Sequence, residues 1–191
     1  MNRADVRRVD VGDGIYVAVP PTTSRKVPPV AVALGSGLAV AALIRLGVTA
    51  DGVLAAGLLV VLAALAGVDI RARVLPNRII GPAMLGVLAW HLAFAPDFVP
   101  ESLLAAAGAG AFLLVPGLVQ PGALGMGDVK LAALLGLALG ARVVTALMIG
   151  FIAVMPVAVG ILVRNGSSAR RSSIPFGPFL GLGAAVVLLA P

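Results

Sequence analysis

The sequence predicts an all-α membrane protein, a polytopic bundle of about seven transmembrane helices, and three observations predict it. First, 60% of its 191 residues are hydrophobic and only 12% are charged, where a soluble domain has about a quarter charged. Mean hydropathy is accordingly +1.11. Second, the apolar runs are continuous and of helical length instead of alternating with period two, which argues for helices over barrel strands. Third, the apolar residues are mostly Ala, Leu, Val and Gly with 4% aromatics, a composition that lets helix backbones approach closely.

Residues 1–29 are polar, carry mixed charge and end in Pro20, Pro21, Pro28 and Pro29, so they read as an N-terminal tail. The first apolar run begins too late to be the core of a removable signal peptide. Runs follow at 30–47, 52–68, 79–95, 102–119, 124–141, 143–163 and 174–190. Most are 17 to 20 residues long, near the lower limit for crossing a hydrocarbon core of about 30 Å. The fifth is weakest, because it opens on Gly125 and Gly127 and contains Asp128 and Lys130. The chain thus divides into the tail, a first span at 30–47 and a membrane-embedded remainder at 52–190.

Orientation follows from the basic residues. With seven spans, one side collects Arg3, Arg7, Arg8, Arg25, Lys26, Arg71, Arg73, Arg78, Lys130, Arg164, Arg170 and Arg171. The other side has Arg45 and Arg142. Twelve against two, out of the 14 present, puts the N-terminus in the cytoplasm and the C-terminus outside. The net charge of +6 is then explained by topology and anionic lipid headgroups, without nucleic acid.

The absence of cysteine excludes disulfides, thiolate metal sites and cysteine nucleophiles. The single histidine, His91, follows Trp90 and has no second histidine with which to share a metal, so it reads as an interfacial residue. No cofactor or metal is expected.

Among the eight acids, Asp5, Asp10 and Asp13 lie in the tail, while Asp51, Asp97 and Glu101 fall in loops on the outer side. Asp69 and Asp128 remain, Asp69 closing the second span and Asp128 opening the fifth, both on the cytoplasmic side. A carboxylate beside hydrocarbon is costly, about 2.5 to 3.5 kcal/mol at a bilayer centre, and marks a functional site by default. Two carboxylates within reach of each other do not both ionise easily, so one keeps a proton. Such a pair offers a base to activate water and an acid to hydrogen-bond a substrate carbonyl, as in aspartic proteases.

The flanking residues fit. Gly125 and Gly127 let a peptide strand or a neighbouring helix approach Asp128. Pro76 disfavours helix at Leu75 and re-aims the chain before the third span. Lys130 points about 200° away from Asp128 along a helix and reads equally as a snorkelling lysine or a catalytic partner. Simpler readings stand beside these. Gly-x-Gly-Asp alone can be a helix cap, Asp69 near Arg71 and Arg73 can be a surface ion pair, and Pro175 and Pro178 can simply start a helix.

Three stretches together resemble the type IV prepilin leader peptidases, membrane aspartyl proteases of the GxGD type. Asp69 with Leu75-Pro76-Asn77 resembles the family's first motif, and Gly125-Met126-Gly127-Asp128-Val129-Lys130 resembles its second, GxGDxK. Ile174-Pro175-Phe176-Gly177-Pro178-Phe179-Leu180 resembles the proline- and glycine-rich lead-in to its last helix. The resemblance covers roughly residues 52 to 190. It implies a six-helix core to which the span 30–47 is added, with Asp69 and Asp128 as the catalytic dyad. Supporting residues would be Gly125, Gly127, Lys130, Pro76, Asn77, Pro175, Gly177 and Pro178. It implies a pilin-like precursor as partner, cut on the cytoplasmic side between a basic leader and an apolar helix. Long members also methylate the new N-terminus through a cysteine-bearing domain, so a chain without cysteine is expected to cleave and not methylate. The rival class is an ion- or proton-coupled transporter using Asp69 and Asp128 as proton carriers. A non-enzymatic membrane subunit would account for the glycines but not for the two motifs.

Overall fold

The computed structural model describes residues 7–10, 16–19, 27–72, 75–119, 125–165 and 175–190. Among them, seven α-helices run in order: α1 Pro29–Leu46, α2 Ala50–Ala72, α3 Asn77–Phe94, α4 Val99–Val119, α5 Met126–Leu139, α6 Val143–Asn165 and α7 Gly177–Leu189. Four segments are long and apolar enough to cross a membrane: α1, α2, α4 with the 3₁₀ turn before it, and the stretch Met126–Arg164 that holds α5 and α6. That last stretch is broken at a 3₁₀ turn, Gly140–Arg142, where Gly140 takes φ +57° and redirects the chain.

Several expectations are revised. The tail is not wholly irregular, because β1, Arg7–Asp10, pairs antiparallel with β2, Tyr16–Val19, so among the described residues the structure is helical apart from one pair of strands. The second helix continues one turn past 68, so Asp69 lies inside its last turn instead of closing it. The fifth and seventh helices have 14 and 13 residues, shorter than the predicted runs. Their predicted starts at 124 and 174 lie outside the described residues, as do Arg25, Lys26, Arg73, Arg170 and Arg171.

The helices hold together through leucines and small residues. The main core contains Leu62 and Leu65 of α2, Leu113 of α4, Leu131 and Leu135 of α5 and Leu180 of α7, all buried. Gly136 of α5 lies against the backbone of Ala105 and Ala106 of α4, the close approach that small residues permit between membrane helices. α1 packs on α2 through a second cluster around Ala42, Ala55 and Leu59. Large apolar side chains such as Ile44, Leu104, Phe112 and Val163 point outward, as lipid contact requires.

His91 is buried at 4% exposure in the last turn of α3. Its ring stands edge-on to Phe98 at 5.0 Å, while Trp90 stacks on Phe94 at 4.4 Å. Trp90 and His91 are adjacent in sequence but point to different faces of the helix.

Candidate functional site

Asp69 lies in the last turn of α2 and is 5% exposed, a buried acid in a helix whose other charges, Asp51 and Arg71, sit in its end turns. The first amides of a helix have no partner within it, and the N-terminal end favours negative charge. α7 supplies such an end. Gly177 is its first residue, and the Gly177 amide donates to Asp69 Oδ2 at 3.0 Å. A Cβ at 177 would sit 2.9 Å from that oxygen, so the glycine is what lets α7 begin on the carboxylate. The preceding Phe176 is set by Phe151 of α6, ring centroids 5.2 Å apart. Pro178 occupies the second position of α7, where proline suits a helix start, and Pro175 precedes the helix.

Asp128 is the third residue of α5, whose N-cap is Gly125. Its carboxylate reaches back to the Gly125 backbone amide, the reciprocal half of a capping box. The helix is closed on the same residue, with the Asp128 amide donating to the Gly125 carbonyl at 3.0 Å. The simpler reading of Gly-x-Gly-Asp, a helix cap, thus fits this carboxylate and leaves room for a catalytic one.

Leu75 and Pro76, which lead into α3, are brought to this corner by Gly127. A Cβ on Gly127 would come within 2.8 Å of Leu75 Cβ, so Leu75 seats directly on the first turn of α5. Pro76 is the N-cap of α3. Asn77, the first residue of that helix, accepts a hydrogen bond from Lys130 Nζ at 2.9 Å. Lys130 thus ties the second stretch to the first, a role that neither of its sequence readings contained.

The structure brings these segments to one end of the bundle. Asp69 and Asp128, 59 residues apart in sequence (128 − 69), lie within electrostatic range of each other. Sequence reasoning named both acids but missed the amide of Gly177 as the donor that holds Asp69. The available signal was a glycine followed by proline at the start of an apolar run. Among the described residues no group of three or more His, Asp or Glu side chains is placed to hold a metal ion.

Two comparisons with known proteins bear on this arrangement. The chain is 29% identical over 161 residues to a prepilin leader peptidase/N-methyltransferase of Bacillus subtilis (strain 168), an alignment covering 84% of this chain. It spans 65% of the length of that relative. No solved structure matches. The profile of the type IV leader peptidase family matches residues 56–163, a stretch that begins in α2, ends in α6 and includes both Asp69 and Asp128. With more than half its length matched, across a stretch that includes Asp69 and Asp128, the chain belongs to the type IV leader peptidase family.

Proposed function

We propose that the chain is a prepilin-type leader peptidase, a membrane aspartic endopeptidase that removes the basic leader from a pilin-like precursor on the cytoplasmic side of the membrane. The observation that carries this reading is the approach of Asp69 and Asp128 from the ends of two different helices within a family match that spans both. One carboxylate takes a proton from water while the hydroxide attacks the scissile carbonyl carbon, and the other donates its proton to the carbonyl oxygen. Collapse of the tetrahedral species breaks the C–N bond, and the departing amine takes a proton from the dyad. The Gly177 amide holds Asp69 in position, and the Lys130–Asn77 bond fixes the first turn of α5 against the start of α3.

Seven membrane crossings with a cytoplasmic N-terminus belong to the same reading, supported by the asymmetry of basic residues. The chain has no cysteine, which supports cleavage without N-methylation. Processing of a pilin precursor in membranes tests the proposal. Asp69→Asn and Asp128→Asn are each expected to lower the rate by about 10² to 10⁴, the range for loss of a general acid or base. Parental rates in either variant would rule out the dyad. The product should carry a free amine by mass spectrometry, and a methylated one would refute the second part.

A further inference from the structure

A groove of about 460 Å³ opens between α1, α2 and α7. Its walls are apolar almost throughout, with Leu34 and Leu38 from α1, Leu59 and Leu62 from α2, and Leu182 and Ala185 from α7. The exception is Arg71, which stands with Pro28 and Pro178 at the end that carries Asp69. Arg71 is exposed and makes no hydrogen bond or ion pair among the described residues.

Length and charge select the occupant. Between Leu59 and Arg71, both lining the groove, α2 rises about 18 Å at 1.5 Å per residue. One leaflet of a hydrocarbon core of about 30 Å is about 15 Å deep, so the groove matches a single leaflet. A transmembrane helix of another protein would need twice that length. The charged end is basic, because Arg71 is the one ionisable side chain in the groove's lining. A basic peptide segment is therefore disfavoured there, the chain's own tail included. An acyl chain joined to an anionic headgroup satisfies both the wall and the mouth.

We propose that this groove binds one acyl chain of an anionic glycerophospholipid, with the lipid phosphate on Arg71. The bound lipid lies against Pro178, the neighbour of the glycine that holds Asp69, and so steadies the first turn of α7. This inference rests on the chain lying in a bilayer and not on its peptidase activity, so either can fail without the other.

Native mass spectrometry of the full chain, extracted from vesicles containing phosphatidylglycerol in excess phosphatidylcholine, provides the test. One phosphatidylglycerol retained per chain is expected. Arg71→Gln should lower retention about fivefold, the worth of one cation at an anionic surface, and Arg71→Lys should preserve it. Gly181→Leu should abolish retention by filling the groove, where a Cβ meets only Leu62 Cβ at 3.9 Å. If that variant does not assemble, the exposed Arg71→Gln carries the test. Retention of both lipids in proportion to their abundance, or unchanged retention in the Arg71→Gln protein, overturns the proposal. So does a photo-crosslinking residue at Ala66 that captures a polypeptide instead of a lipid, since the groove would then belong to a partner helix.

Discussion

Gly177 does two things at one position: its amide holds Asp69, and its missing side chain leaves room for the carboxylate. Gly177→Ala should push α7 away from Asp69 and lower processing of a pilin precursor about tenfold, roughly 1.4 kcal/mol and within the range of overpacking costs. Gly160→Ala is the matched control, because a Cβ there meets nothing within 4 Å. Equal rates for the two variants would show that the Gly177 contact does not position Asp69. At this scale the sequence was readable where chemistry is scarce. Two acids stand apart from six others: Asp5, Asp10 and Asp13 lie in the tail, and Asp51, Asp97 and Glu101 lie at the opposite helix ends, in the first turn of α2, the turn before α4 and the first turn of α4. Hydrogen-bond partners were not readable. Nothing in the spacing says that the amide of residue 177 meets residue 69, or that Lys130 meets Asn77, because each pairing depends on where a whole helix comes to rest.

Between elements, the same partners show how short helices serve the site. Arg142, between α5 and α6, donates to the Val187 carbonyl near the end of α7 at 2.7 Å, so the far ends of α5 and α7 stand level. From that level, α7 with 13 residues and α5 with 14 reach about 20 Å at 1.5 Å per residue. That falls about 10 Å short of a full hydrocarbon core of about 30 Å. Neither helix therefore spans the core on its own, whereas α2 with 23 residues does. The apolar runs announced the helices but overextended these two, since apolar residues continue through turns as well as helices. What fixes the N-terminal end of α5 laterally is the bond from Lys130 on α5 to Asn77 on α3. A double-mutant cycle with Lys130→Met and Asn77→Ala should give a coupling of about 1 kcal/mol in unfolding from detergent micelles. Strict additivity would mean that the two helices are held together by Leu75 on Gly127 alone.

Across the whole molecule, in the seven-crossing topology proposed above, what lets distant segments share one corner is the parity of the crossings. Between Asp69 and Asp128 the chain makes one excursion, α3 out and α4 back, and between Asp128 and Gly177 a second, α5 out and α6 back. Each excursion crosses twice, so all three segments return to one side whatever the orientation of the protein. α1 stands outside this scheme and sets only the side on which the N-terminus lies. Which side that is rests on the basic residues, twelve against two. The absence of cysteine makes the assignment directly measurable, because single cysteines can be introduced into an otherwise unreactive chain. A membrane-impermeant maleimide added to intact cells should label Val48→Cys, at a position 87% exposed, and Asp97→Cys, also exposed. Ser24→Cys and Ser167→Cys should react only after the membrane is opened. The fully reversed pattern would invert the protein and place both aspartates outside, away from any leader on the cytoplasmic face. Disagreement between positions 48 and 97 would instead mean that α2 and α3 do not both cross, which removes the parity that returns Asp69 and Asp128 to a common face.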